Sequence, residues 1–250
     1  MSFLHKGIQT LQELLFPARC LGCTEQLSSS RPPLLCPDCH YGALEIVPPF
    51  CTCCGTPLPL GDKVGDPGSG NHLCLSCLDN PLLLSKVRSS FVYQEPISTL
   101  VRQLKFNGNL NGLASIAALT KKNNAFCDLD EPDLILPVPL HVQRLRKRGF
   151  NQSLLLAKAC FPHWHKKIRF DLIRRHRATI PQTRLDGKGR RNNLHKAFCV
   201  EHPFAVQEKR ILLVDDVFTT GSTLHECTKV LLAAGAGEVE AFTVARSGGL

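Results

Sequence analysis

Eight of the thirteen cysteines stand in Cys-x-x-Cys pairs. A gap of two residues lets one tight turn aim both sulfurs at the same point, and Zn²⁺ binds four thiolates tetrahedrally. In a reducing compartment this spacing is typical of metal ligands rather than of disulfides. We therefore predict two structural zinc ions, each held by four cysteines. The predicted ligands are Cys20, Cys23, Cys36 and Cys39 for the first zinc, and Cys51, Cys54, Cys74 and Cys77 for the second.

These pairs allow more than one arrangement. Twelve residues separate Cys23 from Cys36 and nineteen separate Cys54 from Cys74, so each interval suits one zinc ribbon. Sequential pairing is the simpler form, but spacing alone also permits the first and third pairs to share a zinc. Cys53 is an alternative ligand to Cys54, although the two-residue gap favours Cys54, and a redox dithiol is the competing chemistry. The other cysteines are expected to be small buried side chains: Cys127, Cys160, Cys199 and Cys227.

A second motif joins two carboxylates to a loop of small residues. The apolar stretch Ile211–Val214 predicts a strand, two aspartates follow, and a Thr/Gly/Ser loop then opens a helix. Backbone N–H groups at a helix N-terminus favour a phosphate, whereas carboxylates accept hydrogen bonds from sugar hydroxyls. Ribose 5-phosphate satisfies both halves; the alternative is an ordinary strand–turn–helix with the aspartates as caps. The candidate ligands are Asp215, Asp216, Thr219, Thr220, Gly221, Ser222 and Thr223.

The third feature is a strongly basic segment. Residues 141–191 carry fifteen Lys and Arg against two Asp, a net +13, while the whole chain carries +9, so the remaining residues sum to −4. Pyrophosphate needs about two or three cations, and the surplus suits a nucleic-acid backbone. Trp164 is a candidate for stacking on bases, the alternative being a half-buried indole on a solvated surface. The candidates for pyrophosphate or DNA contacts are Lys105, Arg144, Arg148, Arg174, Arg175, Arg177, Arg190 and Trp164.

The elements that must position these groups change character near Leu82. Residues 17–81 hold ten of the seventeen prolines and a Gly-rich stretch, Gly61–Gly70, that predicts a loop. Such a segment buries too little apolar surface to fold alone, so zinc must supply the folding free energy. From Leu82 onward helical and strand patterns alternate, which indicates an α/β fold. We place an amphipathic helix and a double zinc ribbon in residues 1–81 and the α/β domain in residues 82–250.

The α/β pattern can be divided into individual elements. Carboxylates directly after a central strand lie where open α/β sheets bind ligands, at the carboxyl ends of the strands. The predicted helices are Phe3–Phe16, Ile97–Phe106, Leu110–Lys121, Phe150–Phe161 and Ser222–Ala234. The predicted strands are Leu134–Val138, Ala197–Val200, Arg210–Val214 and Val239–Ala245.

Targeting signals are not evident. The chain has no run of about 18 apolar residues that would predict a transmembrane helix. Polar residues interrupt the apolar positions near the N-terminus, so a secretory signal is not predicted and no membrane insertion is expected. We expect a cytoplasmic protein.

Several segments together resemble a known family. The carboxylate loop is similar to the signature of type I phosphoribosyltransferases, which bind phosphoribosyl pyrophosphate (PRPP). The whole set resembles the ComF/GntX family, in which a double zinc ribbon is joined to a phosphoribosyltransferase-like domain. The segments that carry this resemblance are Leu104–Gly108, Leu136–Leu140, Arg144, Arg148–Gln152, Gln182, Leu185, Arg190, Asn193 and Phe198.

The resemblance implies a site and a biological setting. The parallel sheet would be of the type I phosphoribosyltransferase kind, with Mg²⁺-bound PRPP on the carboxylate loop and a mobile catalytic loop within Arg174–Asn193. Natural transformation or DNA use is the implied setting, with single-stranded DNA and a DNA-uptake machinery, such as a translocating helicase, as partners. The pyrophosphate-side loop would be Pro137, Val138, Pro139 and Leu140.

Two functions of different classes follow. In the first, PRPP binding is a regulatory or structural feature of a DNA-handling protein. In the second, the protein is an active phosphoribosyltransferase in which Asp215 and Asp216 stabilise cationic ribose in the transition state. No segment identifies the acceptor of such a reaction, and the basic surplus favours the first function.

Overall fold

The computed structural model describes residues 17–58, 72–107, 110–123, 126, 128–177 and 197–248. Three predictions fall on other residues and lie outside this description. They are the helix Phe3–Phe16, the loop Gly61–Gly70 and most of the mobile loop Arg174–Asn193.

The described residues form six strands and seven α-helices. The strands are β1 (Lys86–Val92), β2 (Leu134–Pro137), β3 (Ile173–Arg175), β4 (Phe198–Val200), β5 (Arg210–Phe218) and β6 (Glu238–Arg246). The helices are α1 (Pro37–Gly42), α2 (Leu75–Asp79), α3 (Ile97–Asn107), α4 (Leu110–Asn123), α5 (Val142–Arg148), α6 (Gln152–Cys160) and α7 (Ser222–Ala233). Short 3-10 turns span Pro162–Lys167 and Pro203–Ala205.

The central sheet has four parallel strands in the order β1-β6-β5-β2. Strand β5 is four residues longer than predicted, because its pairing with β6 continues to Phe218 opposite Arg246. Strands β3 and β4 form a separate antiparallel pair. A parallel sheet with helices confirms the predicted α/β class.

Two apolar layers cover the two faces of this sheet. Successive side chains of a strand point to opposite faces, so Leu212 and Val214 of β5 belong to one buried cluster and Ile211 and Leu213 to the other. Helices α3, α4 and α6 cover the first face, while α7 and the β3–β4 pair cover the second. Both faces are therefore buried from solvent, as expected for a parallel sheet.

The cysteine-rich segment packs directly on this sheet. The Ile46 N–H donates to the Ser90 carbonyl and the Val92 N–H to the Leu44 carbonyl, both at 2.9 Å, so this segment covers the outer edge of β1. Cys20 and Cys36 are buried in the same cluster as the core of the sheet. Among the helices described, none is long and apolar enough to cross a membrane.

Candidate functional site

The cysteines form two tetrads, and each takes two successive pairs. In each tetrad the four sulfurs lie within 4.8 Å of one another. The Cys23–Cys36 and Cys54–Cys74 sulfur distances are both 3.6 Å. Zn–S bonds of about 2.3 Å in a tetrahedron place sulfurs about 3.8 Å apart, so both tetrads fit zinc. Sequential pairing is confirmed; the interleaved alternative is wrong. The ligand sets are Cys20, Cys23, Cys36, Cys39 and Cys51, Cys54, Cys74, Cys77.

Backbone N–H groups support the sulfurs in the same way in both tetrads. The N–H of Cys36 donates to the Cys20 sulfur, and the N–H of Cys74 donates to the Cys51 sulfur, each at 3.3 Å. Burial opposes ionisation of Cys20, but the N–H groups around its sulfur outweigh burial and lower its pKa to about 6. A ready thiolate favours metal binding, because zinc takes the deprotonated sulfur.

The remaining cysteines lie outside the tetrads. Cys53 is partly buried and not part of the second tetrad, so the choice of Cys54 is confirmed. Cys160 and Cys227 are buried, as predicted. Cys199 is partly exposed on β4, so the prediction of a buried side chain is wrong there, and Cys127 lies outside the described residues.

The carboxylate pair lies in the carboxyl-terminal half of β5. Asp216 is buried, and its carboxylate lies 3.0 Å from the Nζ of Lys105 on α3. Asp215 accepts hydrogen bonds from the Ser153 hydroxyl and from the Asp216 N–H, each at 2.9 Å. The aspartates are therefore held by three separate elements, and neither makes the helix cap that the simpler alternative required: Gly221 is the N-cap of α7.

The neighbouring carboxylate alters the titration of Asp215. Burial, and then the charge of Asp216, raise the pKa of Asp215 to about 7. Asp216 keeps its counter-ion, Lys105, whose pKa is raised by the two carboxylates in spite of its own burial. One carboxylate of the pair is thus paired with a cation, and the other holds a proton near neutral pH.

A short helix–turn–helix brings further cations to the pair. Gly149 ends α5 with φ 83°, and Asn151 caps α6 by accepting from the Ser153 N–H at 3.0 Å. The Asn151 amide also donates to the Val138 carbonyl at 3.0 Å, which fastens this turn to the end of β2. Arg148 consequently lies near Asp215 and Asp216: burial lowers the pKa of Arg148, and the charges of the two carboxylates oppose that shift.

Arg175 belongs to the same site. It is only 5% exposed, and its guanidinium lies 5.4 Å from the centroid of the Phe198 ring. Burial, and then the like charge of Arg144, lower its pKa to about 10, while Asp215 opposes that shift. Two arginines from different elements thus repel each other beside a carboxylate pair, and an anion between them would relieve that repulsion.

The loop after β5 turns at Gly221 and leads into α7. Gly221 adopts φ 70°, and a Cβ added there would lie 2.8 Å from the Phe218 ring, so only glycine fits. The Thr220 and Ser222 hydroxyls are 2.7 Å apart at the start of α7. Pro137 pairs with Val214, one residue before Asp215, and the Val138 N–H donates to the Val214 carbonyl at 2.9 Å. The Pro137–Leu140 and Thr219–Thr223 loops therefore follow adjacent strands of the sheet.

Other predicted contacts lie elsewhere. Arg174 is exposed on β3, where its side chain is 3.9 Å from Glu201, and Arg177 is also exposed. Trp164 stacks on Phe161 with ring centroids 5.7 Å apart, so the half-buried alternative describes its indole. The burial of Arg175 removes it from any surface that a polynucleotide could reach, and Arg190 lies outside the described residues.

A buried arginine, which the sequence did not single out, joins the second tetrad to the loop. Arg246 ends β6 and donates from Nη1 to the Cys54 carbonyl. Its guanidinium lies 5.1 Å from the centroid of the Phe218 ring, the same ring that packs under Gly221. Its charge also helps to lower the pKa of Cys54 to about 6, after the contacts from Thr56 and against burial.

Replacing Arg246 tests whether it connects the second cysteine tetrad to the loop after β5. We expect Arg246→Met to lower the free energy of unfolding by about 1–3 kcal/mol, because the buried Cys54 carbonyl loses its donor. Denaturant unfolding with metal analysis measures this effect. Arg210→Met is the control, because Arg210 forms only a half-exposed ion pair with Glu238 and should cost less than about 1 kcal/mol. Equal costs for the two variants would contradict the link.

Comparisons with known proteins agree with this architecture. Residues 11–78 match the model of the double zinc ribbon domain. The chain is 35% identical over 227 residues to DNA utilization protein YhgH of Escherichia coli O157:H7, covering 80% of this chain and 98% of that protein. It is 31% identical over 241 residues to competence protein F of Haemophilus influenzae, covering 93% and 98% respectively.

Fold and site define a class of protein in which a double zinc ribbon is joined to a parallel α/β domain with a carboxylate pair at its strand ends. Within that class the chain belongs to the ComF/GntX family of competence and DNA utilization proteins. A purine phosphoribosyltransferase from Pyrococcus horikoshii is also structurally similar, with TM-score 0.30 and 17% identity over 56% of this chain and 85% of that one.

Proposed function

We propose that this protein handles single-stranded DNA during DNA uptake or DNA use in the cytoplasm and that it binds PRPP with Mg²⁺ at the carboxylate pair. The observation that carries the proposal is the pair Asp215 and Asp216, surrounded by cations from three elements. Family membership supports the DNA setting, since the relatives are named for DNA utilization and competence.

The residues of the site suit the parts of PRPP. Asp215 and Asp216 are acceptors for the vicinal ribose hydroxyls. The N–H groups and hydroxyls of Thr219–Thr223 suit the 5-phosphate. Arg148 and Arg175 lie near the carboxylates, from α5 and β3, and Arg144 lies near both arginines. These three cations suit the pyrophosphate, whose charge Mg²⁺ would also neutralise when bound.

Lys105 has a second role in this proposal. In the free protein its ammonium group neutralises the buried Asp216, with the two groups 3.0 Å apart. A ligand hydroxyl that donates to Asp216 shares this carboxylate with Lys105, and the ammonium is then within reach of the ligand's anionic groups. The ion pair therefore supplies a counter-ion to the buried carboxylate that we assign to the sugar.

An active phosphoribosyltransferase is the second candidate. The raised pKa of Asp215 favours it, since a carboxylate that titrates near pH 7 can accept a proton from an acceptor in the reaction. Release of pyrophosphate from PRPP over a panel of nucleobases and amines tests this activity directly. No release with any acceptor, together with PRPP binding, would leave the binding function alone.

The DNA part of the proposal rests on exposed cations. Arg146 and Lys147 are exposed on α5, and Arg174 and Arg177 are exposed near β3, so both elements present positive charge to solvent. Each element also supplies one arginine to the carboxylate site, namely Arg148 and Arg175. A polyanion on these elements would thus pass close to the PRPP site.

Salt dependence is the measurement for this surface. Each phosphate neutralised on a single strand contributes a slope of about −0.7 in a plot of log affinity against log salt. About five contacts predict a slope near −3.5, a loss of roughly a hundredfold over a fourfold rise in salt. Charge reversal in Arg174→Glu with Arg177→Glu should flatten the slope by about 1.4. Fluorescence anisotropy of a labelled oligonucleotide gives these values.

The control reverses two charges elsewhere. Lys209 and Lys229 are exposed, before β5 and within α7, so Lys209→Glu with Lys229→Glu changes the net charge equally. We expect this control to leave the slope unchanged. A salt-insensitive signal, or equal flattening by both double variants, would contradict a defined DNA surface.

A further inference from the structure

An exposed phenylalanine lies beside the carboxylate site. Phe106, near the end of α3, is 75% exposed, whereas Leu100, Val101 and Leu104 of the same helix are fully buried. Burying a phenylalanine side chain is worth about 1.5–3 kcal/mol, which this ring forgoes in the free protein. The core therefore does not explain an aromatic residue at this position.

The neighbours of Phe106 connect it to the site. Lys105, the preceding residue, lies 3.0 Å from the Asp216 carboxylate. The guanidinium carbon of Arg148 lies 5.9 Å from the centroid of the Phe106 ring, and the Arg148 side chain also donates to Gln152. The ring thus lies against Arg148 and directly follows Lys105 in the chain, and both of these cations interact with the carboxylate pair.

Other exposed rings differ from Phe106 in this respect. Phe204 and Phe170 are 86% and 66% exposed. In the part of the chain that the structure describes, neither has a cation against its face, and neither adjoins the carboxylate pair. Exposure of an aromatic ring therefore does not by itself indicate a binding site. Phe106 differs because it lies against Arg148 and directly follows Lys105.

We propose that Phe106 and Arg148 form a platform on which a planar nucleobase stacks next to the bound sugar phosphate. A nucleobase has π faces that stack on an aromatic ring or a guanidinium plane, whichever base it is. The carboxylates hold a ribose in the proposed function, on which this inference rests. A base that stacks within one side chain's reach of that ribose is placed either as the acceptor of the ribosyl group or as a base of bound DNA.

Both sources share one chemistry, and two probes separate them. The first probe is a short single-stranded oligonucleotide with 2-aminopurine, whose fluorescence falls when the base stacks. The second is free adenine, titrated into the protein by calorimetry in the presence of Mg²⁺ and PRPP. The variants are Phe106→Ala, the conservative Phe106→Tyr, and Phe204→Ala as a matched control for loss of an exposed ring.

We expect Phe106→Ala to weaken at least one probe by roughly five- to 150-fold, with Phe106→Tyr and Phe204→Ala close to the unmodified protein. Loss of oligonucleotide binding and quenching identifies a DNA base, whereas loss of adenine binding identifies a free acceptor. Because Phe106 is exposed, zinc content and PRPP affinity should remain unchanged. Unaltered binding of both probes by Phe106→Ala would overturn the platform, while absent PRPP binding in the unmodified protein would overturn the proposed function instead.

Discussion

We expect the double change Asp215→Asn with Asp216→Asn to abolish PRPP binding and to leave both zinc ions in place. A hydrogen bond to a charged group is worth about 1.5–3 kcal/mol, so above pH 7, where Asp215 is ionised as well, removing two charged acceptors lowers the affinity by at least roughly a hundredfold. Asparagine keeps the size of the side chain and one acceptor oxygen, so the contacts from Ser153 and from the Asp216 N–H persist. Calorimetric titration with PRPP and Mg²⁺ measures the loss.

The control for this experiment removes the same charge at the opposite end of the strands. Glu131 and Asp133 precede β2, far along the strands from the carboxylate pair, and Glu131→Gln with Asp133→Asn should leave PRPP affinity unchanged. An equal loss in both double variants would show that net charge, and not the site, governs binding.

Asp215→Asn should raise the free energy of unfolding even though it weakens PRPP binding. The pKa of Asp215 is about 7 in the folded protein against a usual value of 3.8, so the folded state keeps a proton that the unfolded state releases. The free energy of unfolding of the unmodified protein therefore falls as pH rises between these values. Asp215→Asn removes this penalty, and its relative stability should grow through this interval and be greatest above pH 7.

Zinc removal is the second large effect. Structural zinc contributes an apparent 10–16 kcal/mol in zinc-finger peptides, on the order of the whole stability of a typical domain. Cys20→Ser should lose one zinc and Cys51→Ser the other. Because Cys20 and Cys36 are buried with the core of the sheet, loss of the first zinc should destabilise the α/β domain as well.

Metal analysis and thermal unfolding of the same preparations test this prediction. Cys53→Ser is the matched control, since Cys53 lies in the same segment but outside the tetrad, and we expect two zinc ions per chain in this variant. One zinc or none in the unmodified protein would contradict the ribbons. Loss of both ions on changing Cys20 alone would contradict independent tetrads.

The cysteine tetrads and the carboxylate strand were predictable because their signals are local. Four pairs with a fixed gap identify the ligands, and an apolar run followed by two aspartates identifies β5 and its loop. Strand β1 was missed, since Arg88, Ser89 and Ser90 interrupt its apolar pattern although all three are buried. Their polar groups are paired: the Ser89 hydroxyl lies 2.6 Å from that of Thr243, and Arg88 contacts Asp128.

The positions of the cations around the carboxylate pair could not be predicted from the sequence. Lys105 and Arg175 were candidates for pyrophosphate or DNA contacts, but their place beside the aspartates depends on packing between distant segments. Arg174 and Arg175 are adjacent in sequence, yet the alternation of β3 exposes the first and buries the second. Helix α5 was missed because its basic residues show no apolar periodicity, although His141 and Gly149 cap its two ends.

Titration of the unmodified protein with sugar phosphates tests the central claim most directly. We predict saturable binding of one PRPP per chain that requires Mg²⁺. We also expect ribose 5-phosphate to bind more tightly than 2-deoxyribose 5-phosphate, because the carboxylate pair accepts from vicinal hydroxyls. The absence of heat with PRPP, or equal affinity for the two pentose phosphates, would contradict a sugar-phosphate site at Asp215 and Asp216.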